Sequence, residues 1–202
     1  MQNLFSSFYF FTSLLIFSAC NSNNTENKVE STPFDFSQYV IEKNGVGPIT
    51  LGKKISDVQP FLSDFKKELV PAWDFGFDGG DSASAVLYSL GEDPFIALIP
   101  ARGTDSIIAI IALHSKLKTR SGIAVGTEVR KILELFPDAK CTMNFQTEDE
   151  FIAMPHSYVS FVFSSQNERL VEYPDTLLDG TFTPTNQSAT VDWIEIFKST
   201  NH

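Results

Sequence analysis

Positive charge is scarce in this sequence. Fifteen Lys and Arg stand against 25 Asp and Glu, a formal net charge of -10. That balance leaves no general basic surface for nucleic acid or for an anionic membrane, since both attract Lys and Arg clusters. Histidine is nearly missing: His114, His156 and His202 are too few and too scattered for a metal site. Cysteine is limited to Cys20 and Cys141. The chain also lacks a nucleophile elbow, a Walker loop, a dinucleotide fingerprint and a complete EF-hand loop. From these absences the expectation is no catalytic residue, no cofactor and no metal.

What is present begins at the amino terminus. An uncharged apolar run over residues 4 to 17 leads into Ser18-Ala19-Cys20. The run is shorter than the ~20 residues that span a bilayer, and Ser6, Ser7, Thr12 and Ser13 interrupt it. An apolar core followed by small residues and a cysteine reads as a lipoprotein signal peptide over residues 1–19, although no Lys or Arg precedes the core. Cleavage before Cys20 leaves its thiol and amine to carry acyl chains, and two or three chains anchor a protein stably. Residues 20–32 then form a lipidated cysteine with a polar tether of Asn, Ser, Thr, Glu and Lys, a composition that cannot repay ordering. If lipid consumes Cys20, Cys141 has no disulfide partner. By resemblance to lipoprotein sorting in Gram-negative envelopes, Asn21 rather than Asp after the cysteine implies an outer-membrane lipoprotein facing the periplasm.

Residues 33–202 are long enough for one domain, and 43% apolar content is ample for its core. Self-similarity organises them. Ile49-Thr50-Leu51-Gly52 followed by Ile55, Val58 and Leu62 matches Ile123-Ala124-Val125-Gly126 followed by Val129, Ile132 and Phe136. Placing Gly52 on Gly126 gives both copies a helical spacing, with Pro137 as a stop for the second helix and Pro60 disturbing the first. Three short β-forming runs follow each helix: 85–90, 95–100 and 107–114, then 151–154, 158–163 and 191–197. Residues 107–113 are apolar throughout, as expected of a central strand buried on both faces. The expectation is an α+β fold made of two tandem units, about 45–116 and 119–200. Each unit is a short strand, a helix and about three antiparallel strands, with helices packed on one face of the sheet. The second unit carries a polar insertion over residues 164–190.

Trp73-Asp74-Phe75-Gly76-Phe77-Asp78-Gly79-Gly80-Asp81 is the most unusual local sequence. Alternation fits a half-buried strand running into a Gly-Gly turn. The same residues also suit an aromatic-tipped partner loop, with Trp73, Phe75, Phe77, Asp78 and Asp81 as binding residues. Calcium is a third reading, but the spacing matches no standard calcium loop. Glu148-Asp149-Glu150 reads as a solvated turn before Phe151, with contact to a basic partner as the alternative. Cys141 beside Lys140 reads as a small packed residue, since nothing nearby orients a base toward its thiol.

Gly45-Val46-Gly47-Pro48-Ile49-Thr50 and Gly122-Ile123-Ala124-Val125-Gly126-Thr127 resemble the opening motifs of the two halves of an uncharacterised family of small bacterial envelope lipoproteins. That family includes an RpoE-regulated lipoprotein of enteric bacteria. The resemblance implies an envelope lipoprotein and supplies no catalytic residues. The unit of a helix followed by three strands also resembles outer-membrane assembly accessory lipoproteins and β-lactamase inhibitory proteins, in architecture only. The expected function is a lipid-anchored, non-catalytic protein that binds another envelope protein as an accessory or scaffold. The alternatives are a periplasmic inhibitor or immunity lipoprotein and, from another class, a small envelope hydrolase. Membrane contact is expected only through the lipid anchor.

Overall fold

Strands hold far more of the apolar residues than helices do. In a computed structural model of the chain, residues 34–77, 84–173 and 180–198 are described. Cys20, the signal peptide, the tether, Asp78 and Asp81 lie outside them. Three two-residue strands, β1 (Ile41–Glu42), β2 (Gly45–Val46) and β3 (Ile49–Thr50), form a small antiparallel sheet. The larger sheet contains β4 (Lys66–Pro71), β5 (Ser84–Leu90), β6 (Asp93–Pro100), β7 (Ile107–Ala112), β8 (Cys141–Met143), β9 (Glu150–Ala153), β10 (Val159–Phe163) and β11 (Trp193–Phe197). Its eight strands are ordered β4-β5-β6-β7-β11-β10-β9-β8, with every neighbouring pair antiparallel.

This corrects the expected fold class. The chain is mostly β, with 37% strand and 14% helix, and one continuous sheet replaces two units with helices packed on one face. The described residues contain two short α-helices, α1 (Ile55–Val58) and α2 (Val129–Leu135). The helical periodicity is real but brief. Pro60 converts the end of α1 into a 3₁₀ turn over Gln59–Leu62, and α2 ends at Phe136, just before Pro137. Helices of one or two turns gain few hydrogen bonds against a costly nucleus, so they persist only by docking. Val58, Leu62, Val129 and Ile132 are fully buried. Tyr39 and Tyr88 also reach the first helical segment, donating to Phe61 O (2.7 Å) and Gln59 Oε1 (3.0 Å).

Residues around Gly52 and Gly126 make matching backbone bonds to the sheet. Gly52 N–H donates to Ile107 O, Ile107 N–H to Lys53 O, and Ile55 N–H to Asp105 O. Gly126 N–H donates to Val191 O, Val191 N–H to Thr127 O, and Val129 N–H to Ala189 O. Both glycines are left-handed, with φ of 82° and 81°. The first set reaches β7 at Ile107 and the second reaches the residues just before β11. β7 and β11 pair with each other in the middle of the large sheet through Ile194 with Ala112 and Ile196 with Ile110. All of β7 is buried except Ile108, which is 38% exposed.

Cross-strand register sorts the sheet into two faces, because directly paired residues point the same way. One face carries Tyr88, Ile96, Ala112, Ile194, Phe161 and Ile152, all essentially inaccessible. The opposite face carries a second cluster built on Ala85, Ala97, Ile99, Ala109 and Ile111, with Val70, Leu87, Leu113, Trp193 and Phe197 only partly buried around it.

The described parts of the insertion are packed. Glu150 is 2% exposed and accepts from Leu170 N (2.6 Å) and Tyr173 Oη (2.7 Å). Cys141 and Phe182 exchange backbone hydrogen bonds. The solvated-turn reading of residues 148–150 is therefore corrected. Glu148 is exposed and pairs with Arg169, but Asp149 is 7% exposed and accepts from Ser165 N (2.9 Å). A run of charge in sequence does not reveal that strand pairing turns two of its three carboxylates toward incoming backbone donors.

Two outcomes follow for stability in urea unfolding. Gly52→Ala and Gly126→Ala each lower stability by about 1 kcal/mol through left-handed backbone strain, since a Cβ at either site meets nothing within 4 Å. Glu150→Ala costs about 2 kcal/mol, because it leaves the buried Leu170 N–H and the half-buried Tyr173 hydroxyl without their acceptor.

Candidate functional site

The aromatic residues singled out in the sequence come together over the half-covered sheet face. Pro71 ends β4, and Ala72–Phe75 make one turn of 3₁₀ helix capped by Gly76 at φ 77°. Gly76 N–H donates back to Ala72 O and Trp73 O. With three residues per turn, Ala72 and Phe75 fall on the same side. Ala72 is buried against the sheet, whereas Trp73 is 53% exposed. Past the reversal at Gly76, Phe77 returns to the sheet and meets Phe197 edge to face, with ring centroids 5.2 Å apart.

The strand reading of Trp73, Phe75 and Phe77 is thus replaced by a turn. Their alternation arises from a 3₁₀ turn and a left-handed glycine, which send Phe75 and Phe77 inward and Trp73 outward. Thr147 Cγ2 sits 3.6 Å from where a Cβ on Gly76 would stand, so the turn passes beside the loop before β9.

Beneath this turn the face holds a group that the sequence reading missed. Glu195 lies on β11 between Trp193 and Phe197, directly across from Ile111 on β7 and Ser160 on β10. The same row continues through Ala97 and Leu87, so on its β7 side the carboxyl adjoins apolar residues, with Ser160 on the other side. Burial first, and the charge of Asp149 second, push the Glu195 carboxyl from its usual 4.5 up to about 7. Trp193 Nε1 on the same strand is buried with no acceptor among the described residues. The available signal was the pattern Trp193-Ile194-Glu195-Ile196-Phe197. If Ile194 and Ile196 face one core, Glu195 shares the other face with two aromatic rings.

The remaining sequence candidates sit elsewhere. Cys141 is buried, and its thiol is pushed up to about 11 by burial and by Glu150. Such a thiol carries almost no thiolate at neutral pH. His114 accepts from Lys116 N at 3.1 Å and stacks near Phe36, and burial lowers its pKa. Among the described residues there is no group of three or more His, Cys, Asp or Glu that could hold a metal ion. No helix of the described residues is long and apolar enough to cross a membrane.

The Glu195 shift sets a pH dependence. Its folded-state pKa lies above the unfolded value, so its contribution is fully present below about pH 4.5 and lost as pH rises through about 7. Glu195→Gln removes that loss. Denaturant titrations at pH 5 and pH 8 show the variant gaining on the wild type by roughly 1–2 kcal/mol at the higher pH, the partial exposure of the site keeping the effect modest.

No family model and no curated protein matches the chain. Among solved structures, it is similar to the crystal structure of the uncharacterized protein yfeY from Escherichia coli. The match has a TM-score of 0.53 and 16% sequence identity, and covers 80% of this chain and 100% of that one. At that identity the likeness is one of fold alone.

Proposed function

We propose that this protein is a lipid-anchored, non-catalytic envelope protein that binds another envelope protein through the Trp73 turn and the sheet face beneath it. One observation carries the reading: Trp73 is 53% exposed on a turn whose neighbours, Ala72, Phe75 and Phe77, are packed onto the sheet. A large ring held out by a fixed backbone offers contact area at little entropic cost, which is the character of an interface anchor. Anchoring rests on the apolar segment and Cys20, and the outer-membrane, periplasm-facing location rests on Asn21. Membership of the small envelope lipoprotein family is part of the same proposal and rests on the two glycine motifs. Asp78 and Asp81 extend the proposed contact in sequence and lie outside the described residues.

Affinity capture from crosslinked envelopes tests this. The wild type sediments with membranes and retains a specific partner, and Cys20→Ala moves to the soluble fraction. Trp73→Ala stays anchored and folded but loses the partner. Retention of the partner by Trp73→Ala, or capture of no partner by the anchored wild type, overturns the reading.

A further inference from the structure

Among the described residues, two polar groups on the half-covered face have no hydrogen-bond counterpart. Trp193 Nε1–H is a buried donor without an acceptor. Glu195, two residues along β11 on the same face, has no hydrogen-bond donor among the described residues. Both groups cost stability, but they call for different complements. The indole N–H, itself a donor, is met only by an acceptor, whereas the desolvated carboxyl recovers its cost when a donor or cation arrives. The carboxyl is the one that calls for a charged group.

The surroundings define that group. Trp193 and Phe197 flank Glu195 along its own strand, and Phe77 stands edge-on to Phe197. Across the sheet stand Ile111 and Ser160, neither of which bears charge. Asp149 adds a second negative charge close enough to act on the Glu195 carboxyl. On the covering turn, the titratable residue among Ala72–Phe77 is Asp74, which is exposed. The residues named around Glu195 therefore present negative charge and aromatic rings, with no cation among them. Carboxylates combined with aromatic faces attract ammonium and guanidinium groups, because ion pairing and ring quadrupole act together where water is partly excluded. The chain's formal charge of -10 favours approach of a basic partner to the protein as a whole.

We infer that the Glu195 site receives a lysine or arginine side chain of the bound protein, its charged end on Glu195 and its stem against Trp193 and Phe197. This deepens the proposed function and rests on it for the source of the side chain. The site's chemistry is nonetheless tested without that partner. The elevated pKa fits the assignment: a carboxyl poised near 7 ionises when a cation arrives, so the side chain binds more tightly at pH 8 than at pH 5.5.

The test uses Nα-acetyl-lysine methylamide and its arginine analogue as probes, with Nα-acetyl-norleucine methylamide as the uncharged match. The chain has two tryptophans, so proton–nitrogen NMR gives two side-chain indole signals, assigned with Trp73→Phe. The expected result is that the charged probes shift the Trp193 indole signal and lower the Glu195 pKa, while the norleucine compound does neither. Glu195→Gln, checked for an unchanged backbone spectrum, weakens the charged probes about tenfold or more. Equal binding by the norleucine compound, equal binding to Glu195→Gln, or no shift with either charged probe at millimolar concentration overturns the inference. Partner capture that depends on Trp73 but not on Glu195 also overturns it while sparing the proposed function. Probe binding without any partner capture overturns the proposed function instead.

Discussion

The structure depends on one strand pairing, β7 against β11. These strands come from opposite halves of the chain, and their pairing joins two meanders into a single eight-stranded sheet. Left apart, each meander would expose a long apolar edge with unpaired N–H and C=O groups, the feature that drives strand-to-strand aggregation. Ile110 and Ile111 point to opposite faces of β7, and both are fully buried. Apolar residues at both parities commit the middle of the sheet to cover on both sides, and the rest of the fold arranges that cover.

The cover is unequal, and the inequality creates the candidate site. Tyr88, Ile96, Ile194 and Phe161 lie on a face that is sealed. On the other face, alanines at positions 85, 97 and 109 leave little side chain to bury, and the Ala72–Phe75 turn with Phe77 closes only part of it. Trp193 and Phe197 remain half-buried there, and Glu195 sits between them. A fully open face would leave that carboxyl solvated with an ordinary pKa. A fully closed one would require an internal partner. The intermediate state raises the pKa and keeps the group within reach.

Several elements were legible in the residues. Gly52 and Gly126 were aligned from their flanking apolar positions, and in the structure both hold the same left-handed conformation and make matching backbone bonds, the first to Ile107 of β7 and the second to Val191 just before β11. Continuous apolarity after Ile107 correctly signalled a central strand, because alternation disappears when both faces are covered. The helices were overread. Apolar residues three and four apart mark a helical face without stating its length, and prolines confined these faces to one or two turns. Trp73, Phe75 and Phe77 were misread as a strand because a 3₁₀ turn ending in a left-handed glycine can also display every second ring. Glu150 and Glu195 were passed over because a carboxylate in a strand looks solvated until the layer above it is known.

By itself, the sequence determined the chemistry available: an acidic chain poor in histidine and cysteine, a signal-like segment ending at Cys20, two glycine-centred motifs and an aromatic stretch at Trp73. These follow from composition and short-range pattern, which need no knowledge of distant neighbours. Tertiary structure alone decided that the strands join through β7 and β11, that Glu150 and Asp149 turn inward, and that Glu195 stands beneath the turn carrying Phe77. Each of these depends on register between segments far apart in the chain. Shifting a strand by one residue exchanges its faces, and local sequence does not encode which distant strand fixes the shift.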